Sequence, residues 1–151
     1  MRLGVPKEPE KETRVAIVPS SLKKLLKAGF EVCIEKNAGA SANYHDSDYE
    51  AAGAKIVSRK DALSCENIIC INFPGVEGIA EKTNLVCVAD PFRNPEYVKQ
   101  CMDSNITLMS MDMIPRRLSR AQSMDVNSSQ DNLAGYKAVL LGAANVPKGI
   151  P

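Results

Sequence analysis

The feature that most constrains the fold is an alternation of short apolar runs with segments of helical periodicity. Segments 67–72 and 85–89 each contain a continuous apolar run, which is typical of strands buried on both faces of a parallel sheet. Elsewhere, apolar residues recur at helical spacing, as at Leu22, Leu25 and Leu26. The pattern predicts an α/β fold: three layers, with a mostly parallel sheet flanked by helices in a flavodoxin-like or Rossmann-like arrangement.

Cap and turn residues predict the limits of several helices. Ser20 and Ser21 are candidate N-caps, and Gly29 suits the left-handed position that follows a helix. The pair Asn94-Pro95 predicts an N-cap followed by the first helical residue. The longest predicted helix spans Ser129 to Ala144, and its buried side is expected to carry Leu133, Tyr136, Val139 and Leu140.

Composition excludes several classes of protein. The 151 residues carry 19 Lys+Arg and 18 Asp+Glu, a formal net charge of +1, and a balanced charge argues against a nucleic-acid partner. The 44% hydrophobic content is enough for a packed core. No apolar run approaches the roughly 20 residues that span a bilayer, and the first residues lack a signal peptide's apolar stretch. We therefore expect one soluble domain.

The cysteine pattern indicates reduced thiols rather than the ligands of a metal centre. There are five cysteines and one histidine, and no C-x-x-C pair occurs. A structural zinc site needs about four grouped ligands, so no metal site is expected. The odd count and the apolar neighbours of Cys70 and Cys87 favour reduced, buried thiols, as in a reducing compartment.

The segment Asp112–Asn132 is the strongest candidate for a ligand site. It follows the last predicted strand, precedes the longest helix and has no clean periodicity. Ligands of open α/β sheets bind at the carboxyl ends of strands. Arginine suits phosphate or carboxylate, and glutamine suits a neutral amide. A solvated basic loop followed by an ordinary N-cap explains the same residues equally well.

Arg14 is a second candidate, because it follows the first strand and precedes the first helix. Its guanidinium can pair either with an anionic ligand or with a carboxylate of its own loop. For a lone arginine, the structural ion pair is the more common of these two roles.

Several motifs resemble the N-terminal domain shared by alanine dehydrogenases and nicotinamide nucleotide transhydrogenases. They are Gly4–Glu8, Arg14–Pro19, Gly29–Val32, Ala38–Ala40 and Ala51–Ala54. The segments Met113–Asp125 and Ser128–Val139 more closely resemble the NAD(H)-binding component, the alpha subunit or domain I, of proton-translocating NAD(P) transhydrogenase. The resemblance runs over nearly all 151 residues.

The resemblance implies hydride transfer between NAD(H) on this component and NADP(H) on another, coupled to proton translocation in the full complex. It implies as partners the NADP(H)-binding and membrane components, together with a homodimer. It places the chain on the cytoplasmic or organelle-matrix side, as a soluble protein peripheral to a membrane complex.

By motif matching, the residues around the nicotinamide end of NAD(H) are Arg117, Gln122, Asp125 and Ser128. The resemblance implies that Gln122 orients the nicotinamide, while Arg117 and Asp125 hold the loop in place. Because hydride transfer between two nicotinamides needs no protein acid or base, these roles are positioning roles. The loop is one residue longer than is usual in the family, so either Arg116 or Arg117 can take the arginine position.

Other departures from the family weigh against an alanine dehydrogenase. Those enzymes use a lysine after the strand 68–71 and a histidine after the next strand to handle pyruvate, and this chain has neither there. No G-x-G-x-x-G occurs in the sequence, so the dinucleotide-binding Rossmann domain of the family is absent from residues 1–151 and the domain is expected to be incomplete. The alternatives are a catalytically inactive, free-standing interaction module or, less favoured, an alanine dehydrogenase-type enzyme.

Overall fold

The computed structural model describes residues 1–147 and confirms the α/β prediction. The strands are β1 (Arg2–Val5), β2 (Glu31–Glu35), β3 (Lys55–Val57), β4 (Asn67–Asn72), β5 (Asn84–Val88) and β6 (Thr107–Ser110). The helices are α1 (Pro19–Lys27), α2 (Asp46–Ala51), α3 (Arg59–Leu63), α4 (Pro95–Asp103) and α5 (Val126–Asn145). All pairings within the sheet are parallel, in the order β3-β2-β1-β4-β5-β6, and helices flank it.

The chain divides into two compact units, Met1–Ser110 and Met111–Pro151. The first unit contains the six-stranded sheet and α1 to α4. The second contains the short 3-10 helices Met111–Met113 and Gln122–Met124, followed by α5. The predicted domain of residues 1–151 is described as far as residue 147, and its last four residues lie outside the described part. Within residues 1–147, no helix is both long and apolar enough to cross a membrane.

Strand β1 lies at the centre of the sheet and joins its two halves. It pairs with β2 through Leu3↔Val32 and with β4 through Gly4↔Ile68. One cluster of buried residues includes Val5, Leu22, Ile34 and Tyr49, and a second includes Ile68, Leu85, Cys87 and Cys101. Burial of these apolar side chains is the main favourable contribution to folding.

The helix limits agree with the sequence in most places, but the predicted cap of α1 is wrong. Gly29 adopts φ +87° after α1, as predicted. Helix α1 starts at Pro19 after Val18, so Ser20 and Ser21 lie inside its first turn. Asn94 is the N-cap residue of α4 and Pro95 is its first residue, as predicted, although the Asn94 side chain makes no capping hydrogen bond. The amide of Asn94 donates instead to the carbonyl oxygens of Ala89 and Asp90.

Helix α5 forms as predicted, beginning three residues earlier, but its predicted buried side is wrong. No described residue of α5 is buried. Leu133, Tyr136, Val139 and Leu140 are 61%, 68%, 71% and 48% exposed. Helical periodicity identifies an apolar face, but it does not say whether another element covers that face.

The five cysteines are unpaired and buried, as the sequence predicts. A hydrogen bond with Cys87 and burial both raise the pKa of Cys70, because each disfavours the thiolate. Residues 1–147 contain no group of three or more His, Cys, Asp or Glu side chains placed to hold a metal ion. The thiols therefore act as small apolar side chains in this structure.

Gly4 allows α3 to pack against β1. A Cβ at Gly4 would lie 2.0 Å from the carbonyl oxygen of Ala62, inside van der Waals contact with backbone that cannot rotate away. Glycine at this position thus sets the distance between the helix and the central strand.

We expect Gly4→Ala to lower the free energy of unfolding by about 3 kcal/mol, because either β1 or α3 must move to admit the methyl group. Urea unfolding followed by circular dichroism measures the change. Gly135→Ala is the matched control, since a Cβ at Gly135 meets open space and alanine favours the helix. An unchanged unfolding midpoint for Gly4→Ala would contradict the packing described here.

Candidate functional site

The polar segment between β6 and α5 is built from consecutive tight turns. The amide of Leu118 donates to Pro115, that of Ala121 to Leu118, and that of Met124 to Ala121, each to the carbonyl oxygen. Ala121 is buried, at 6% exposure. Asn127 at the start of α5 donates from its amide to the carbonyl oxygen of Asp112, at 3.3 Å. These bonds fold the segment back on itself without regular strand structure.

Asp125 and Ser128 are brought together as the N-cap of α5. The Asp125 carboxylate accepts the backbone N–H of Ser128 at 2.9 Å and its hydroxyl at 2.6 Å. The Ser129 hydroxyl donates to the Asp125 carbonyl oxygen at 3.1 Å. The hydroxyl and backbone bonds from Ser128 hold the pKa of Asp125 below its usual range. The carboxylate thus satisfies free N–H groups at the helix start.

Gln122 and Arg117 are both exposed, whereas Asp125 is buried. Gln122 is the first residue of the 3-10 helix Gln122–Met124, immediately before the cap. Its amide has both a donor and an acceptor, and the Arg117 guanidinium has donors in a planar fork. Among the described residues, these two side chains are therefore available to a polar ligand.

The structure distinguishes the two adjacent arginines. Arg116 forms an ion pair with Asp131 in the first part of α5, at 3.1 Å. Its side chain is 52% exposed and that of Asp131 is 69% exposed, so the pair contributes little to stability. Arg117 has no hydrogen bond or ion pair with any described residue.

Arg14 pairs with a carboxylate of its own loop, which is one of the two contacts predicted for it. Its Nε and Nη2 atoms donate to the two carboxylate oxygens of Glu12, at 2.8 and 2.7 Å. These bonds lower the pKa of Glu12 to about 2, because they stabilise its charged form. Arg14 is exposed, whereas the Glu12 side chain is only 15% exposed.

Glu8 also lies at the carboxyl ends of the strands, and it was not among the site residues predicted from the sequence. Glu8, after β1, is 8% exposed. Its carboxylate accepts the backbone N–H groups of Ile71 and Asn72 at 2.5 and 3.1 Å and the Asn72 side-chain amide at 3.0 Å. The available signal was an acidic residue three positions after the end of a buried strand. Its partners could not be read from the sequence, because they lie 63 and 64 residues away.

Comparison with known proteins assigns this architecture to a family. The model for "Alanine dehydrogenase/PNT, N-terminal domain" matches residues 4–134. The chain belongs to this family. The match includes the segment that carries Arg117, Gln122, Asp125 and Ser128, together with the sheet edge around Glu8 and Arg14.

Relatives in the family are considerably longer than this chain. The NAD(P) transhydrogenase subunit alpha of Haemophilus influenzae is 39% identical over 147 residues, which cover 95% of this chain and 28% of the relative. A solved transhydrogenase from Sinorhizobium meliloti is 35% identical with a TM-score of 0.94, covering 100% of this chain and 46% of that one. A solved L-alanine dehydrogenase is 32% identical with a TM-score of 0.73, covering 80% and 34%. The chain thus spans less than half the length of these relatives.

Within this family domain, the cap leads to a prediction. We expect Asp125→Ala to reduce the hydrogen-exchange protection of the Ser128 amide about tenfold, because that amide loses its acceptor. Asp125→Asn is the control, since asparagine also caps helices. Amide exchange measured by NMR on the full chain tests both variants, and equal protection of Ser128 in Asp125→Ala and the parent chain would refute the cap.

The hydrogen bonds from Ser128 to Asp125 also predict how the stability of the folded chain depends on pH. Since the pKa of Asp125 is lowered in the folded chain, the cap contributes stability above the ordinary aspartate pKa. That contribution is lost as the pH falls through the lowered value.

Proposed function

We propose that this chain works as part of the NAD(H)-binding component of an NAD(P) transhydrogenase, in which it positions the nicotinamide end of NAD(H). The observation that carries the proposal is the exposed pair Gln122 and Arg117, placed beside a capped helix in a segment with a transhydrogenase-like sequence. The match of this whole chain to 46% of a solved transhydrogenase chain supports it.

The residues fit the cofactor by their chemistry. A carboxamide has one acceptor and one donor group, and the Gln122 amide offers the complementary pair. Arg117 supplies a guanidinium for the loop or for an anionic group of the cofactor. When bound, NAD(H) supplies or accepts the hydride. The chain itself then has to orient the ring for a near-attack geometry rather than move a proton.

Asp125 and Ser128 have a supporting role in this proposal. Their mutual hydrogen bonds fix the first turn of α5, and Asp125 directly follows the 3-10 helix that begins with Gln122. A rigid support is what a positioning side chain requires, because small displacements of the reacting groups slow transfer strongly.

The wider assembly belongs to the same proposal. NADP(H) is held by a separate component, and a membrane component couples the reaction to proton translocation. The NAD(H)-binding component, to which this chain belongs in the proposal, forms a homodimer that lies peripheral to the membrane. The names of the transhydrogenase relatives support a multi-component assembly. An alanine dehydrogenase activity is less well supported, because the position after strand 68–71 is Asn72, whose amide is bonded to Glu8 and Glu12.

We expect Gln122→Asn in the assembled transhydrogenase to slow hydride transfer about 100-fold, since the shortened amide misplaces the ring. NADH affinity should change less than about threefold, because most of the dinucleotide contacts are elsewhere. Stopped-flow single-turnover measurements give the rate and titration calorimetry gives the affinity. Ser123→Ala, in the same turn, is the control. Equal losses of rate and affinity would show that Gln122 is not a positioning residue.

A second prediction concerns the chain alone. Because no G-x-G-x-x-G occurs in these 151 residues, we expect NADH to bind more weakly than the micromolar range. Titration calorimetry on the 151-residue chain measures this affinity. A micromolar dissociation constant would mean that these residues hold most of the dinucleotide, and the division of labour proposed here would be wrong.

A further inference from the structure

The segment between β6 and α5 contains two adjacent arginines, of which the proposed cofactor site uses one. Residues 116–120 read Arg-Arg-Leu-Ser-Arg, so Arg116 and Arg117 lie three and two residues before Ser119. Serine/threonine kinases that act on basic segments read arginines at these two positions with acidic side chains, because guanidinium–carboxylate bonds fix the register of the substrate. The residue types and their spacing therefore match the substrate of such a kinase.

Ser119 is accessible in the folded chain. It is exposed, as are all four of its neighbours in residues 116–120. Its hydroxyl forms no hydrogen bond with any described residue. It lies in the irregular stretch between the 3-10 helices Met111–Met113 and Gln122–Met124. A kinase can therefore reach the hydroxyl and both arginines without unfolding a regular element.

The bonds that hold this segment are weak enough to open when a kinase binds it in an extended form. Turn bonds run from the N–H of Leu118 to Pro115 at 3.3 Å and from that of Ala121 to Leu118 at 2.8 Å. The ion pair of Arg116 with Asp131 has both side chains more than half exposed, and such pairs contribute little to stability. Segments with few buried contacts open locally at low cost.

We infer that Ser119 is a phosphorylation site for a serine/threonine kinase that prefers basic substrates. In the transfer, the Ser119 hydroxyl oxygen bonds to the γ-phosphorus of magnesium-bound ATP. The bond from that phosphorus to the oxygen bridging the β- and γ-phosphates breaks, ADP leaves, and the hydroxyl proton passes to the catalytic aspartate of the kinase. The phosphoserine carries about 1.5 to 2 negative charges at pH 7.

The phosphate enters a segment whose charge is wholly positive. Residues 113–124 contain Arg116, Arg117 and Arg120 and no acidic residue. Because phosphate oxygens accept strong hydrogen bonds from guanidinium groups, the phosphate competes for Arg117 with any anionic ligand of this segment. Phosphorylation therefore slows hydride transfer in the assembled transhydrogenase. This consequence rests on the proposed function, whereas the phosphorylation site itself does not.

A kinase assay on the full 151-residue chain tests the site. The probe is the catalytic subunit of cyclic-AMP-dependent protein kinase with magnesium and ATP, and tandem mass spectrometry locates the phosphate. We expect one phosphate per chain, on Ser119. The kcat/KM for the folded chain should lie within about tenfold of that for a free peptide of residues 113–125, because the accessible form of the segment is well populated.

Matched variants identify what the kinase reads. Ser119→Ala should abolish the incorporation, whereas Ser123→Ala should keep it, since Ser123 is preceded by a single arginine, at 120. Arg116→Ala should lower kcat/KM at least about tenfold through loss of a charge-assisted bond, and Arg120→Ala should lower it much less. The inference is overturned if Ser119→Ala takes up as much phosphate as the parent, or if the folded chain is slower than the peptide by more than about tenfold.

Single-turnover hydride transfer in the assembled transhydrogenase tests the consequence. Stoichiometric phosphorylation should slow transfer about tenfold, as expected for loss of one charged hydrogen bond. Ser119→Ala treated with the same kinase should keep its rate. An unchanged rate in the fully phosphorylated enzyme would show that the phosphate does not compete for Arg117. In that outcome, slow transfer in Gln122→Asn would still support the proposed function, so the two failures are distinguishable.

Discussion

The pairing of β1 with both β2 and β4 is the interaction on which the rest of the structure depends. Within residues 1–147, the half of the sheet formed by β3, β2 and β1 meets the half formed by β4, β5 and β6 only where β1 pairs with β4. The chain can then wind outward in both directions with α-helical crossovers. The absence of a side chain at Gly4 lets α3 approach the central strand. Strand β4 extends beyond its last pair with β1, and the Glu8 carboxylate accepts the backbone N–H groups of Ile71 and Asn72 there.

In each of the two units, a carboxylate accepts hydrogen bonds from backbone N–H groups at the end of an element. Glu8 satisfies backbone N–H groups at the end of β4, and Asp125 satisfies the one that α5 leaves free at Ser128. Unsatisfied N–H groups at such positions are costly, so a charged acceptor stabilises the local backbone. Both carboxylates are thereby committed to structure. In the second unit, Gln122 and Arg117 are among the exposed side chains, and they are the two that we propose to position the nicotinamide.

The distinction between bonded and available groups also bears on the family's two activities. Arg14 is held by Glu12, and Asn72 is held by Glu8 and Glu12. That sheet edge therefore has few free polar groups for acid–base chemistry on a small substrate. Hydride transfer between two nicotinamides needs orientation instead, and this is the role that we propose for the exposed amide of Gln122. The chain's own residues thus suit positioning better than proton transfer.

The sequence by itself determined the element order, the parallel sheet, the buried thiols and the family, because apolar periodicity and local motifs are properties of neighbouring residues. The strand 67–72 and the left-handed Gly29 follow directly from such local signals. Only the tertiary structure decided that Glu8 binds the end of β4, that Arg116 rather than Arg117 pairs with Asp131, and that the apolar residues of α5 are exposed. These outcomes depend on which residues meet in space after the strands are ordered, and local sequence does not encode that information.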